Sequence, residues 1–404
     1  MSALRFAYIL APVLAVLWMV VLACAFAVVA AFMTGGGYRP SSGASVALAL
    51  VMAGGLLVTR PTRGQFAAAG AVACIIAATM GFGVIAYAER SIIALMFNGV
   101  CGGVAAFSFH MIMQDADRAG PLTRHEFEAA ILRFLSGFGY IFFSAIVLIP
   151  FYVMVMTSLK NQSELIQNPL DFSIDLSRGW DLFRSYSELF NDFNFGTYMV
   201  NSLLISVLTV FITLAFSIPG AYAVARLRFK GQALFSRSIL LIYMVPVIVL
   251  ALPIYIAFSM TGLRNTIVGI LLIYPVTTIP VALYMLQGYF RGLPHEVEEA
   301  GLMDGLSRLA VIWKITLPLS LPAIASVSLY VFMIAWNEFL LAFMLLDDPT
   351  KFTLTRGIAS LNSSEIPRQH LMAGAVVATV PIMALFLGLE RFMTKGLTAG
   401  SVKG

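Results

Sequence analysis

Glu298-Glu299-Ala300-Gly301-Leu302-Met303-Asp304-Gly305, then Ile315-Thr316-Leu317-Pro318, interrupts a chain that is otherwise mostly apolar. Roughly residues 291–320 carry acids, bases and helix punctuation between two apolar segments. Pro294 suits a helix start, where its missing N–H is not needed. Glu296, Glu298 and Glu299 then fall in or just beyond the first turn, where the helix dipole favours negative charge. Val297, Ala300, Gly301 and Asp304 share one face at helical spacing. Gly305 tolerates the positive φ of a sharp turn. A second short helix over 306–317 is expected to stop at Pro318. The spacing predicts a helix–turn–helix lying along a membrane surface. A connector resting on lipid headgroups carries excess Lys or Arg on its polar face, whereas this first helix is acidic. Its small residues leave room for a protein partner, and a carboxylate can pair with a partner's Arg.

The surrounding composition requires a bilayer. Of 404 residues, 60% are hydrophobic and 11% charged, against about 25% charged in ordinary soluble domains. A spanning helix needs about 20 apolar residues. Ten segments qualify: 6–33, 43–59, 65–88, 91–113, 133–157, 197–225, 237–260, 265–290, 321–346 and 371–391. Alternating strand patterns are absent, so an all-α membrane protein is expected rather than a barrel. The first segment is too long for a secretory signal and reads as a retained helix.

Arg and Lys set the orientation. Arg226, Arg228, Lys230 and Arg237 flank one loop, Arg291, Arg308 and Lys314 lie in the stretch 291–320, and Arg391, Lys395 and Lys403 lie in the tail. An odd–even count of spans places all three on one side, which is therefore cytoplasmic. Arg5, Arg60 and Arg63 fall there too, and both termini are expected inside. The net charge of +5 is then a topology signal and does not point to nucleic acid. Cys24, Cys74 and Cys101 sit within spans, so no disulfide framework is implied. The four histidines lack ligand spacing, so no metal site is expected.

The charged stretch 114–132, with its Gly120-Pro121 breaker, divides the chain. The expected organisation is a four-helix accessory region over 1–113, a cytoplasmic linker over 114–132, and a six-helix region over 133–404. Gly54-Gly55 and Gly102-Gly103 permit close helix approach.

The pattern E-A-G-x3-G-x9-I-x-L-P resembles the coupling loop of permease subunits in ATP-binding-cassette importers, with Gly301 where that family usually has Ala. Further similarities extend over about 133–404. Ala221-Tyr222-Ala223-Val224-Ala225-Arg226, Tyr198-Met199-Val200-Asn201-Ser202-Leu203, Trp336-Asn337-Glu338-Phe339 and the tail Gly396–Gly404 are similar to maltose-type sugar permeases. Four extra N-terminal helices depart from the maltose pattern and resemble some α-glucoside permeases.

The resemblance implies a type I importer permease core and no catalytic residues. Glu298, Glu299, Ala300, Gly301, Asp304, Gly305, Ile315, Leu317 and Pro318 are implied to couple to an ATPase. Implied partners are an ATPase dimer that binds ATP and Mg, a second permease, an extracytoplasmic solute-binding protein and a sugar, in a bacterial inner membrane. The outer loop 158–196, with Trp180, Phe183, Tyr186, Phe190 and Phe193 amid carboxylates, is implied to meet the binding protein. It also reads as a self-packed aromatic loop.

Glu338 is costly within a bilayer, by about 2.5–3.5 kcal/mol on insertion scales. It is expected to face the bundle interior or a cavity, with Asn337 beside it, or to clamp two helices. Asn201 and Ser202 are candidates for the same pathway or for helix–helix hydrogen bonds. Pro246, Pro253, Pro275 and Pro280 interrupt two spans, as kinks or as cavity-lining breaks. No lysine follows a glycine, so a Gly-x4-Gly-Lys phosphate loop is absent. Such a chain hydrolyses no ATP by that loop and draws on another subunit. An ion-driven secondary transporter would carry ionisable residues in several spans. A non-transporting scaffold or sensor is the other alternative.

Overall fold

The computed structural model describes residues 6–59, 61–87, 91–115, 120–169, 171, 173–362 and 366–398. The chain forms two compact units, Met1–Leu182 and Phe183–Gly404.

The first unit contains α1 (Ala7–Thr34), β1 (Arg39–Pro40), α2 (Ser42–Thr59), α3 (Arg63–Thr79), β2 (Ile85–Ala86), α4 (Ile92–Ile112), α5 (Arg124–Ser158) and α6 (Gln162–Gln167). Side-chain caps start several of these helices. Thr62 and Gln65 form a reciprocal capping box on α3, and Thr123 and Glu126 do the same on α5. Each box satisfies two backbone donors that a helix start otherwise leaves unpaired. α3 and α4 approach closely at glycine: a Cβ on Gly70 would lie 2.6 Å from the Gly102 carbonyl oxygen. Gly54 and Gly55 meet nothing within 4 Å. The core of this unit centres on Trp18, Met19 and Phe109, and the Trp18 indole donates to Ser108 Oγ at 2.7 Å. The short β1–β2 ribbon, which no alternation announced, is antiparallel. Buried Asn98 holds it, donating to the Ile85 carbonyl and accepting from the Ile85 amide.

The second unit contains α7 (Arg184–Asp192), α8 (Phe195–Arg226), α9 (Gln232–Tyr243), α10 (Val247–Met260), α11 (Ile267–Gly292), α12 (His295–Met303), α13 (Arg308–Val311), α14 (Leu317–Leu319), α15 (Leu321–Asn337), α16 (Leu340–Leu345), α17 (Leu354–Ser360) and α18 (Arg368–Thr398). α8, α11, α15 and α18 build its centre. Along α8 a stripe of buried hydroxyls, Ser202, Ser206, Thr209, Thr213 and Ser217, recurs at helical spacing. Thr213 meets Thr278 of α11 at 2.6 Å.

All ten predicted segments are helical over most of their length, but not all are continuous. Among the described residues, seven helices (α1, α2, α4, α5, α8, α11 and α18) are long and apolar enough to span a membrane. An eighth span results if 308–319 and α15, bent by 77°, count as one. α3 has only 17 residues. The predicted span 237–260 is two helices, α9 and α10, broken at Pro246, which has no N–H to donate and pushes the preceding residue out of the helical region. Pro253, Pro275 and Pro280 lie inside continuous helices. Arg5, Arg60, linker residues 116–119 and the tail beyond Thr398 lie outside the described residues.

Candidate functional site

α12 begins after Pro294 as its N-cap, with Glu296 and Glu298 in the first turn. It ends in a Schellman turn: the Leu306 amide donates to Gly301 O and the Gly305 amide to Leu302 O, both at 3.1 Å. This closure needs a left-handed residue after the cap, and Gly305 supplies it with φ of 82°. Ser307 then caps α13 through the Ala310 amide. The second helix does not stop at Pro318. It widens into a π-turn over Ile312–Thr316 and continues to Leu319. The Leu317 amide reaches back five residues to Ile312 O. A proline has no amide to donate, and the wider turn accommodates it.

The spacing of the Glu298–Pro318 motif has a geometric reason. The Schellman turn and the π-turn bring Ile315 over Gly301, so that a Cβ there would lie 2.5 Å from Ile315 Cδ1. The buried face of α12 is Glu298 and Gly301. Val297, Ala300 and Asp304, expected on one face with Gly301, are exposed.

The two glutamates of the motif therefore differ. Glu299 is exposed. The Glu298 side chain is 12% exposed and accepts from Thr316 Oγ1 at 3.0 Å and from the Tyr222 hydroxyl at 3.3 Å. Arg226, at the end of α8 with its side chain 2% exposed, places Nε 3.5 Å from Glu298 Oε1. Its other nitrogens reach His295 Nδ1 and Leu293 O, each at 2.7 Å. Arginine only donates, so Nδ1 of His295 is the acceptor. The sequence singled out Arg226 for its charge and gave no sign of this contact.

The outward surface of the loop combines acid with apolar side chains. Val297, Leu302, Met303, Leu309 and Trp313 are exposed, Met303 by 87% and Trp313 by 72%. Glu296, Glu299 and Asp304 are exposed among them. Leu317 is half-buried and Pro318 exposed.

The candidate pathway residues are held differently. α15 ends at Asn337, and Glu338 turns the chain. Its two carboxylate oxygens accept from the Leu341 amide at 2.9 Å and the Ala342 amide at 3.1 Å, capping α16. Asn337 is exposed, and its amide donates to Met333 O. A cleft of about 340 Å³ opens beside this break, lined by Phe339, Thr355, Ile358, Ala359, Asn362 and Leu371. Asn201 donates to Thr350 O and Phe352 O. Buried Ser202 accepts from the Leu354 amide at 2.7 Å. Both therefore hold the segment leading into α17. Among the described residues, no group of His, Cys, Asp or Glu is arranged to hold a metal.

Residues 217–398, which include the whole loop, match the family described as binding-protein-dependent transport system inner membrane component. An inner membrane ABC transporter permease protein of Escherichia coli K12, YcjP, is 38% identical over 66% of this chain and 95% of its own length. The chain belongs to this permease family. The trehalose/maltose transport system permease MalG of Thermococcus litoralis is 33% identical, over 69% of this chain and 99% of its own length. A solved bacterial ABC transporter involved in the import of the acidic polysaccharide alginate aligns over 67% of this chain and 98% of the matched chain, with a TM-score of 0.56 and 22% identity. That likeness establishes a shared permease fold. The chain is a multi-pass inner membrane permease of a family whose members are not themselves enzymes. About a third of it lies outside each of these matches.

Proposed function

We propose that this chain is the transmembrane permease subunit of an ATP-driven, binding-protein-dependent importer of oligosaccharides such as maltose or α-glucosides. It forms half of the translocation pathway. A second permease supplies the other half, an ATPase dimer binds ATP and Mg and performs hydrolysis, and an extracytoplasmic binding protein delivers sugar. Both termini and the loop 291–320 face the cytoplasm. Residues 1–113 form an accessory region joined by the linker 114–132 to the permease core, 133–404.

The observation that carries this reading is the outward surface of the loop, with Ala300, Met303, Gly305 and Trp313 accessible and Glu299 offered to a partner cation. Names of relatives support the substrate class: trehalose/maltose, diacetylchitobiose and arabinooligosaccharides. On this reading Glu299, Ala300, Asp304 and Gly305 meet the ATPase. Glu298, Gly301, Ile315, Leu317 and Pro318 shape the surface behind them. Asn337 borders the pathway, with Glu338 fixing the break beside it and Asn201 and Ser202 fixing the segment before α17.

Uptake of a panel of labelled mono- and disaccharides by a deletion strain, with and without this chain, tests the reading. Restored oligosaccharide uptake that persists with a protonophore while ATP is held high is the expected result. Uptake abolished by the protonophore at high ATP indicates a secondary transporter. Failure to co-purify with any ATPase, together with no uptake, indicates a scaffold or sensor.

A further inference from the structure

Side-chain contacts between α8 and the loop are concentrated at one place. Among the described residues, the side-chain hydrogen bonds and ion pairs from α8 to 293–320 come from Tyr222 and Arg226. The Arg226 guanidinium spans the start of α12, reaching Leu293 O, His295 Nδ1 and the Glu298 carboxylate. The Glu298 carboxylate in turn joins three segments: α8 through Tyr222 and Arg226, α12 through its own backbone, and the π-turn through Thr316. Both charges are largely withdrawn from water. Taking away either one leaves the other buried without its counter-charge. Charge and dipole also agree, since Arg226 lies in the last turn of α8 and Glu298 in the first turn of α12.

We propose that Arg226 and Glu298 are a positioning pair: a buried strut that fixes the coupling loop to the end of α8. Displacement of the loop by the ATPase is then passed to a 32-residue helix instead of being absorbed by flexing at the loop. The pair contacts neither sugar nor nucleotide. This rests on the coupling role proposed above and assigns a separate task to the inner glutamate of the motif, while Glu299 faces outward.

Glu298→Gln keeps the shape and one acceptor oxygen for Thr316 or Tyr222, turns the other oxygen into an NH2 donor, and removes the charge facing Arg226. Arg226→Lys keeps the charge but loses the fork that reaches three groups. Both variants are made in the full importer, with ATPase, second permease and binding protein. Spin labels are placed at the exposed positions Arg228 and Met303 in a Cys24→Ser background. The readouts are the label-to-label distance distribution, co-purification with the ATPase, ATP hydrolysis, and uptake of the panel sugar that the wild type imports best.

Assembled complexes with a broadened distance distribution, about a tenfold fall in uptake and more ATP hydrolysed per sugar imported are expected. Unchanged distance distributions, or uptake within twofold of wild type in both variants, overturn the strut. So does a loss of uptake that only follows the amount of assembled complex. A wild-type complex without ATP-driven uptake overturns the functional reading itself and the strut with it.

Discussion

Three glycines do different work, and substitution separates them. Gly305 meets nothing within 4 Å, so its constraint is its positive φ alone. Gly305→Ala should cost about 1–2 kcal/mol, read as lower stability in detergent unfolding, and Gly305→Val more. Gly301 faces the tip of Ile315, a flexible end that can rotate. Gly301→Ala should stay near wild type, because an overpacking cost at the low end, about 1 kcal/mol, is offset by the roughly 1 kcal/mol that alanine gains over glycine in a helix, while Gly301→Leu should displace Ile315 and abolish ATPase co-purification. Gly357 lies flat against the buried ring of Tyr198, where an added Cβ would approach within 2.2 Å. A ring cannot yield as a methyl tip can. Gly357→Ala should therefore destabilise by about 1–3 kcal/mol in the same assay. Gly305 was legible from sequence as a turn glycine. The constraint on Gly357 was not, because Tyr198 is 159 positions away in the chain.

At the scale of elements, α7 is tied to the start of α18. Glu188 accepts from Arg184 Nε at 2.7 Å and meets His370 Nε2 at 2.8 Å. The Arg184 hydrogen bond, then that of His370, holds the Glu188 carboxyl below the usual carboxylate range. A carboxyl lowered in the folded state adds stability above its unfolded value, about pH 4.3, and loses it as pH falls through the lower folded value. Thermal stability should therefore decline below about pH 4.3, and Glu188→Gln should remove part of that decline in a melting series across pH. Ser202 makes a comparable tie, through the Leu354 amide that begins α17. Ser202→Ala should leave that amide unpaired and speed hydrogen exchange around 350–357, while exchange in α8 changes little. Sequence reading left Asn201 and Ser202 open between pathway and helix–helix hydrogen bonding. Polarity and a bilayer depth suit both, and only the position of 350–354 identifies their partners.

At the scale of the whole molecule, the relatives account for about two thirds of the chain, while the chain itself clusters into units that divide after Leu182. α5, the first helix of the proposed core, belongs to the first of these units, where a Cβ on Gly137 would meet Trp18 of α1 at 2.7 Å. Among the described residues, the side-chain hydrogen bonds that tie 293–320 to longer helices go to α8 and α11 of the second unit. Deleting residues 1–115 should therefore lower the stability of α5, seen as faster proteolysis within 124–158. It should leave co-purification with the ATPase in place. Loss of co-purification would show that residues 1–115 are needed to present the loop.

The sequence by itself determined that this chain is helical and membrane-spanning, and that an acidic, glycine-punctuated loop interrupts it. Composition, helical periodicity and turn chemistry act locally, so they can be read along the chain. Only the tertiary structure decided which glutamate of the motif faces outward and which is buried against Arg226, because 72 residues separate that pair. The same holds for Glu338: its polarity within an apolar span was plain, but the two amides it caps became available only because α15 ends where it does. The ten-residue offset from Gly305 to Ile315 was legible as a pattern. Its cause, a π-turn that lays Ile315 over Gly301, is a property of the folded loop.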